Sequence, residues 1–383
     1  MKIRNTIRIF TFCLLITVII TAGLTFSDPS HYVWNFISSF IYTMCIGFTI
    51  YALIEFAFPR ITAIAPAVIR PGILPLLFLI GGLVGTGMST LILIFIFRYS
   101  FTMFDYSRLL SLNLLLAIIF GSIAVWYFTS ELKQRRIKEE MNLARKIQQG
   151  LFPKANLLIP NLDITGVSLP AITVGGDYYD FIQLGPKKIL TVVADVSGKG
   201  MSAALYMSKI QGMVQLAAHM YQTPREMLIN INRCLFDGLD RKSFITIILA
   251  LFDMESEDVR ICRAGHNRAI AAIDDKIQFL EGGGIGLGLE RGPIFENTLE
   301  EVRIAVKSDG LFLFYTDGIT EAMNEKNQQL GENAVLEILK TNRRFSAERI
   351  QQEILSTVER FRGSAEQHDD VTMVLVKVKF AEA

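Results

Sequence analysis

The stretch VVADVSGKGM, residues 192–201, decides how the chain reads. Val192, Val193 and Ala194 form an apolar, β-branched run of the kind that makes a buried strand. The run ends on Asp195 and passes into Ser197-Gly198-Lys199-Gly200. Two chemistries compete for such a stretch. A Gly-Lys after a strand suggests a phosphate cradle, and a carboxylate at a strand end suggests a metal ligand. The phosphate loop requires G-x-x-x-x-G-K-[ST]. Here Val193 stands where the upstream glycine belongs, and Gly200 follows Lys199 where Ser or Thr belongs. The glycines are left to turn the backbone beside a cation, with Lys199 near the mouth.

The same design recurs three more times. Asp177 follows two glycines in GGDYYDF (175–181), Asp317 ends LFYTDG (313–318), and Asp369 and Asp370 precede the last strand in EQHDDVTMV (366–374). Carboxylates gathered in one place repel unless a cation neutralises them. Oxygen ligands without His or Cys suit Mg²⁺ or Mn²⁺ rather than zinc. A two-metal carboxylate site is a standard device for attack of water on phosphorus.

Composition divides the chain. Hydrophobic residues make up 51%, mean hydropathy is +0.38 and the net charge is +1. That balance carries no polyanion-binding signature, so no nucleic-acid partner is expected. Cys13, Cys45, Cys234 and Cys262 show no metal-ligand or disulfide spacing and read as reduced packing residues. The long apolar runs fall almost entirely before residue 130: Ile9–Phe26, Val33–Phe58, Ile73–Phe97 and Leu109–Phe128. Each is near the roughly 20 residues that a helix needs to cross a bilayer. Lys2, Arg4 and Arg8, then Arg60 and Arg70, then Lys133, Arg135, Arg136 and Lys138 mark the inner side. Arg98 and Arg108 run against this pattern, in a loop placed outside. Four spans put both termini, and everything after residue 130, in the cytoplasm. Glu55, near the end of the second run, reads as a hydrated carboxylate close to the interface. Lipid is the expected surround of this half, and a multi-pass position in the cytoplasmic (inner) membrane is the expected location.

The expected domains are a four-span transmembrane domain over 1–130, a helical linker over 131–155 and an α+β domain over 156–383. In the linker, Ile137, Met141, Ala144, Gln148 and Leu151 repeat at the a and d spacing of about two heptads. Two readings stand: an amphipathic helix packed on its own domain, or a parallel coiled coil. The second is preferred, which makes a homodimer through the linker helix an expectation. Beyond it, FITIILALFD (244–253), GLFLFYTDG (310–318) and VTMVLVKVKF (371–380) read as strands. Helices are expected from Gly200 through Met220, from the Thr223 capping box to about Gly238, and from Ser346 to about Phe361. Helices in blocks between runs of strands argue for α+β layers.

The ordered set VGGDYYDF, VADVSGKGMSAAL, AGHN, YTDGITEA and HDDVTMV resembles the metal-dependent PPM-type (type-2C-like) serine/threonine phosphatases. It is similar in particular to the bacterial sporulation and general-stress-response branch. ARKIQQGLFP (144–153) resembles the helix that leads into that domain. The resemblance covers about residues 140–380. It implies an antiparallel β-sandwich flanked by helices, with two Mn²⁺ or Mg²⁺ ions at one end. It implies Asp195 as the bridging carboxylate, Val196 as the donor of a backbone carbonyl, and Asp317 as a ligand. Asp369 aligns with the last ligand and Asp370 with its neighbour; adjacent strand residues face opposite ways, so both should not bind directly. Asp177 matches the first acidic motif, an indirect ligand, and with Asp195 forms the catalytic pair. The implied substrate is a phosphorylated anti-sigma-factor antagonist.

Departures accompany the match. Ser197 occupies the place where eukaryotic relatives have a His that can act as general acid. AGHN runs on into Arg268-Ala269 rather than Pro-Pro. His266 reads as structural or as part of a substrate loop, and Arg268 as a contact to a phosphate or an acidic partner or as a solvated surface residue. GGGIGLGL (282–289) reads as a mobile loop near the substrate. A rival reading, a silent membrane receptor whose soluble domain only binds a partner, is opposed by the intact acidic set. A transporter is opposed by the absence of an intramembrane charge cluster.

Overall fold

The computed structural model describes residues 17–18, 32–57, 60–61, 64, 70–98, 126, 129–153, 159–240, 242–273, 276–306 and 310–379. The chain divides into two compact units, Met1–Lys138 and Glu139–Ala383, with the division inside the linker expected from sequence.

In the first unit, helices Tyr32–Ala52 and Arg70–Phe97 pack against each other. Their apolar stretches Phe36–Ala57 and Pro75–Phe97 are long and apolar enough to cross a membrane. Polar side chains join them: Thr49 Oγ1 donates to Gly81 O at 2.8 Å, and Tyr42 Oη lies 3.0 Å from Thr90 Oγ1. Glu55 lies in a π-helical turn, Leu53–Ala57, and is exposed. The expected first and fourth spans fall outside the described residues apart from 17, 18 and 126, as do Lys2, Arg4, Arg8 and Arg108.

The second unit is a sandwich of two five-stranded antiparallel sheets. One sheet has the order β1-β10-β9-β6-β7 and the other β2-β3-β4-β5-β8. The strands are β1 (Leu162–Leu169), β2 (Tyr178–Gly185), β3 (Lys188–Val196), β4 (Ile245–Asp253), β5 (Asp258–Ala264), β6 (Ile270–Ile273), β7 (Lys276–Phe279), β8 (Glu301–Ala305), β9 (Gly310–Tyr315) and β10 (Val371–Val378). Alternation assigns each side chain to a face. Ile189 and Val193 of β3 point between the sheets, with Phe252 of β4, Phe312 and Phe314 of β9, and Val374 and Val376 of β10. Phe252 meets Phe312 edge to face, with centroids 5.3 Å apart. Leu190, Val192, Ala194 and Val196 point outward and are covered by helices Met201–Met220 and Pro224–Leu235. The other sheet is covered by helices Glu332–Asn342 and Ala347–Arg362.

This alternation carries Asp195 to the inner face at the end of β3, beside Thr246 in the β3–β4 register. Asp177 precedes β2, Asp317 follows β9 and Asp369-Asp370 precede β10. Antiparallel pairing of β2 with β3, and of β9 with β10, brings those ends to one end of the sandwich. The linker helix runs over residues 129–149. Its C-terminal part does not present a free a/d seam. Gln148 is 7% exposed, and Leu151 packs against the core under Met201–Met220. Both positions are taken up by the chain's own sandwich domain, Gln148 through two hydrogen bonds and Leu151 through apolar packing. Leu143 and Ile147, on another face, are 60% and 61% exposed.

Candidate metal centre

The five aspartates, Asp177, Asp195, Asp317, Asp369 and Asp370, gather closely enough for their charges to raise the proton affinity of Asp177, Asp195 and Asp317. Burial, then the charges of Asp317, Asp369 and Asp370, push Asp195 up to about 7. Burial, then Asp195 and Asp370, hold Asp177 well above the usual carboxylate range. Burial, then Asp369 and Glu321, raise Asp317. A set of oxygen donors that favours protons this strongly is one that favours a hard divalent cation. The donor chemistry therefore fits Mg²⁺ or Mn²⁺. Among the described residues, no three His, Cys, Asp or Glu side chains already stand in ligating geometry. The carboxylates are gathered without being closed on one point.

Asp369 and Asp370 do different work. Asp370 is buried, and its carboxylate accepts from three backbone N–H groups: Ala171 at 2.7 Å, Gly176 at 2.8 Å and Asp177 at 3.4 Å. Asp369 is half exposed and takes the Lys199 ammonium at 3.2 Å. Asp370 thus holds the VGGD turn, while Asp369 points to the rim. Asp177 is 2% exposed and accepts from the Thr316 hydroxyl at 2.8 Å. A Cβ on Gly176 would stand 2.9 Å from the Val196 carbonyl oxygen, so glycine leaves that oxygen uncovered.

Gly198 and Gly200 have φ of 97° and 80°, the left-handed values that glycine adopts without strain. They turn the chain from β3 into helix Met201–Met220 and bring Lys199 across to Asp369 and the His368 carbonyl. Lys199 is thus held by a carboxylate and a carbonyl. Ser197 is engaged as well, since its Oγ accepts from Phe244 N at 2.8 Å.

His266 is buried, and its Nδ1 lies 2.8 Å from Thr246 Oγ1, on the strand residue opposite Asp195. Burial depresses its pKa to about 3, so it is a neutral support rather than an acid. Arg268 is a partly exposed surface residue. It pairs with Glu281 at 3.0 Å and lies 4.5 Å above the Phe279 ring. GGGIGLGL is pinned instead of free: Ile245 and Leu287 exchange both backbone hydrogen bonds, and Gly265 N donates to Gly284 O. Glycine richness suggested mobility, but Leu287 is fully buried and anchors the segment. Sequence reasoning missed Gln148 as a residue of this region. Its carboxamide bonds both backbone groups of Gly175, and only the position of ARKIQQGLFP ahead of the domain hinted at it.

The sequence profile of Stage II sporulation protein E (SpoIIE) matches residues 185–379, just over half of the chain. The chain belongs to the SpoIIE family. Its second unit has the fold of PP2C domains. Phosphoserine phosphatase RsbU of Bacillus subtilis is 28% identical over 273 residues, which are 70% of this chain and 79% of RsbU. Phosphoserine phosphatase RsbP of the same organism is 22% identical over 249 residues, 63% of this chain and 58% of RsbP. The fold is shared with the SiaA-PP2C domain of Pseudomonas aeruginosa, at a TM-score of 0.57 and 19% identity, over 65% of this chain and 99% of that domain.

Proposed function

We propose that this SpoIIE-family chain is a membrane-anchored, metal-dependent protein phosphatase. It acts on phosphoserine or phosphothreonine in a cytoplasmic regulatory protein of the anti-sigma-factor-antagonist type. The observation that carries this reading is the gathering of five aspartates at one end of the sandwich, where burial and mutual repulsion raise Asp177, Asp195 and Asp317 together. The substrate class is supported by likeness to RsbU and RsbP, both named phosphoserine phosphatases. Anchoring is supported by the two apolar helices and by the further runs Ile9–Phe26 and Leu109–Phe128. In this reading the domains are a four-span bundle over 1–130, a linker over 131–155 and the phosphatase domain over 156–383. The cell membrane holds the chain, with both termini and the enzyme in the cytoplasm. A homodimer through the linker would meet at Leu143 and Ile147.

Asp195, the Val196 carbonyl, Asp317 and Asp369 would hold two Mn²⁺ or Mg²⁺ ions, with Asp177 reaching them indirectly. When bound, such ions lower the pKa of water and offset charge on the phosphoryl oxygens. The chain's own residues do the rest. Asp370 fixes the turn that carries Asp177, and Thr316 orients the Asp177 carboxylate. Lys199 balances the charge of Asp369 at the rim. Neither His266, neutral at pH 7, nor Ser197, engaged with Phe244, is placed to protonate a leaving serine. That proton would come from water or from another group of the site.

The test is dephosphorylation of a serine-phosphorylated antagonist-type protein by the full-length chain, beside phosphotyrosine peptides. Loss of phosphate from serine alone is expected. Binding of the phosphoprotein without turnover in any metal would favour the silent-receptor reading instead.

A further inference from the structure

Beside the acidic end of the sandwich lies a cavity of about 220 Å³ to which the hydrolysis proposed above gives no role. One wall is made by Asp369 and by Gly318, the residue after Asp317. Met323, Leu355, Val358 and Val371 give it an apolar lining, drawn from the segment after β9, from helix Ala347–Arg362 and from β10. Hydrogen bonds hold these walls in place. Gln367 Nε2 donates to Leu169 O and to Asp369 O, both at 2.8 Å. The segment after Asp317 closes on itself, with Leu330 N donating to Ala322 O and Gly331 N to Thr320 O. Ser364 Oγ donates to Glu325 Oε1 at 2.6 Å, which ties that segment to the end of the helix. A cavity fastened in this way is largely formed before anything enters it.

Charge is uneven around it. Glu321, Glu359 and Glu366 also border the cavity and are exposed. Among the described residues, none of the three forms an ion pair. Asp369 is already balanced by Lys199. The lining sets one guanidinium against these carboxylates, that of Arg362, whose Nη1 donates to Gln367 Oε1 at 3.3 Å. The volume falls below the roughly 300–1,000 Å³ of a drug-sized ligand site and suits a single long side chain. An apolar interior with an anionic border matches an aliphatic stem that ends in a cation. A phosphate group or an acidic side chain would meet like charge there.

We propose that this cavity is a specificity subsite for a Lys or Arg side chain flanking the phosphoserine of the substrate. The stem lies on Leu355 and Val358, and the charge lies among Glu321, Glu359 and Glu366. The inference rests on the proposed phosphatase reading and adds a sequence preference to it. Gly318 and Asp369 belong both to the cavity and to the acidic end of the sandwich, so a segment that brings its phosphoserine to the aspartates passes the cavity.

The test uses the full-length chain purified in detergent, with Mn²⁺, and a set of phosphoserine peptides of alanine and glycine. Each peptide carries one Lys, norleucine or Glu at one of the places on either side of the phosphoserine. Norleucine keeps the aliphatic stem of Lys and lacks its charge. Phosphate release gives kcat/KM, and fluorescence anisotropy gives binding. Wild type is compared with the double variant Glu359→Gln, Glu366→Gln. Glu321 is left unchanged because its charge acts on Asp317. At one place or more, wild type is expected to favour Lys over norleucine about fivefold, with Glu the poorest. The double variant should lose most of that preference, and its turnover of p-nitrophenyl phosphate, which has no flanking residue, should match wild type. The preference of wild type should also shrink as salt is raised. Equal use of Lys and norleucine at every place would overturn the inference, because an apolar groove would then suffice. A preference that survives in the double variant would overturn it too. A chain that hydrolyses p-nitrophenyl phosphate but ignores the flanking residue keeps the phosphatase reading and loses the subsite. A chain that binds the Lys peptides selectively, through Glu359 and Glu366, and hydrolyses nothing keeps the subsite and sinks the phosphatase reading.

Discussion

Asp370 spends its charge on three backbone N–H groups, and Asp369 spends its own on Lys199 at the rim. Substitution should separate the two. Asp370→Ala leaves buried donors unpaired and should cost about 3 kcal/mol in urea denaturation. Asp369→Ala, at a half-exposed position, should leave the denaturation midpoint almost unchanged and lower Mn²⁺-dependent turnover by at least about 100-fold. Equal stability losses in the two variants would contradict this division. Asp195 gives a pH signature in the metal-free protein. Its folded pKa of about 7 lies above the roughly 3.9 of an unfolded aspartate. The folded state therefore binds the proton more tightly, and the contribution of Asp195 to stability is fully present below about pH 4 and lost as the pH rises through 7. Thermal unfolding in EDTA should show wild type losing stability across that window. Asp195→Asn should flatten the profile and exceed wild type at pH 8.

Elements were legible wherever one local signal dominated. Thr223 caps Pro224–Leu235 by accepting from Glu226 N at 3.2 Å, as its capping box predicts. Thr223→Ala should lower stability by about 1 kcal/mol in urea denaturation; no change would mean that tertiary packing alone sets the helix start. β4, β9 and β10 were legible because central strands buried on both faces read as continuous apolar runs. β7 (KIQF) and β8 (EVRIA) were not read, because these short edge strands carry polar residues and gain their identity only from partners. The linker shows the limit of periodicity. A 4-3-4 spacing describes any helix with an apolar face, and only tertiary contacts show that Gln148 and Leu151 serve their own domain. GGGIGLGL reads as free chain until Leu287 is seen paired with Ile245.

At the scale of the molecule, the acidic positions were legible because each sits where an apolar run stops, while their convergence needed the sandwich. No local pattern says that the end of β3 lies beside the approach to β10, and no spacing distinguishes Asp369 from Asp370. The linker helix ends on the turn that carries Asp177. The central claim is a cation-dependent phosphatase centre built on these aspartates. Its most direct measurement is phosphate release from a phosphoserine protein by the full-length chain, in Mn²⁺, Mg²⁺ or EDTA, beside Asp317→Ala. Turnover in Mn²⁺ or Mg²⁺ that EDTA and Asp317→Ala both abolish, with Asp317→Ala still folded, is the predicted result. Turnover that persists in EDTA or in Asp317→Ala would contradict it.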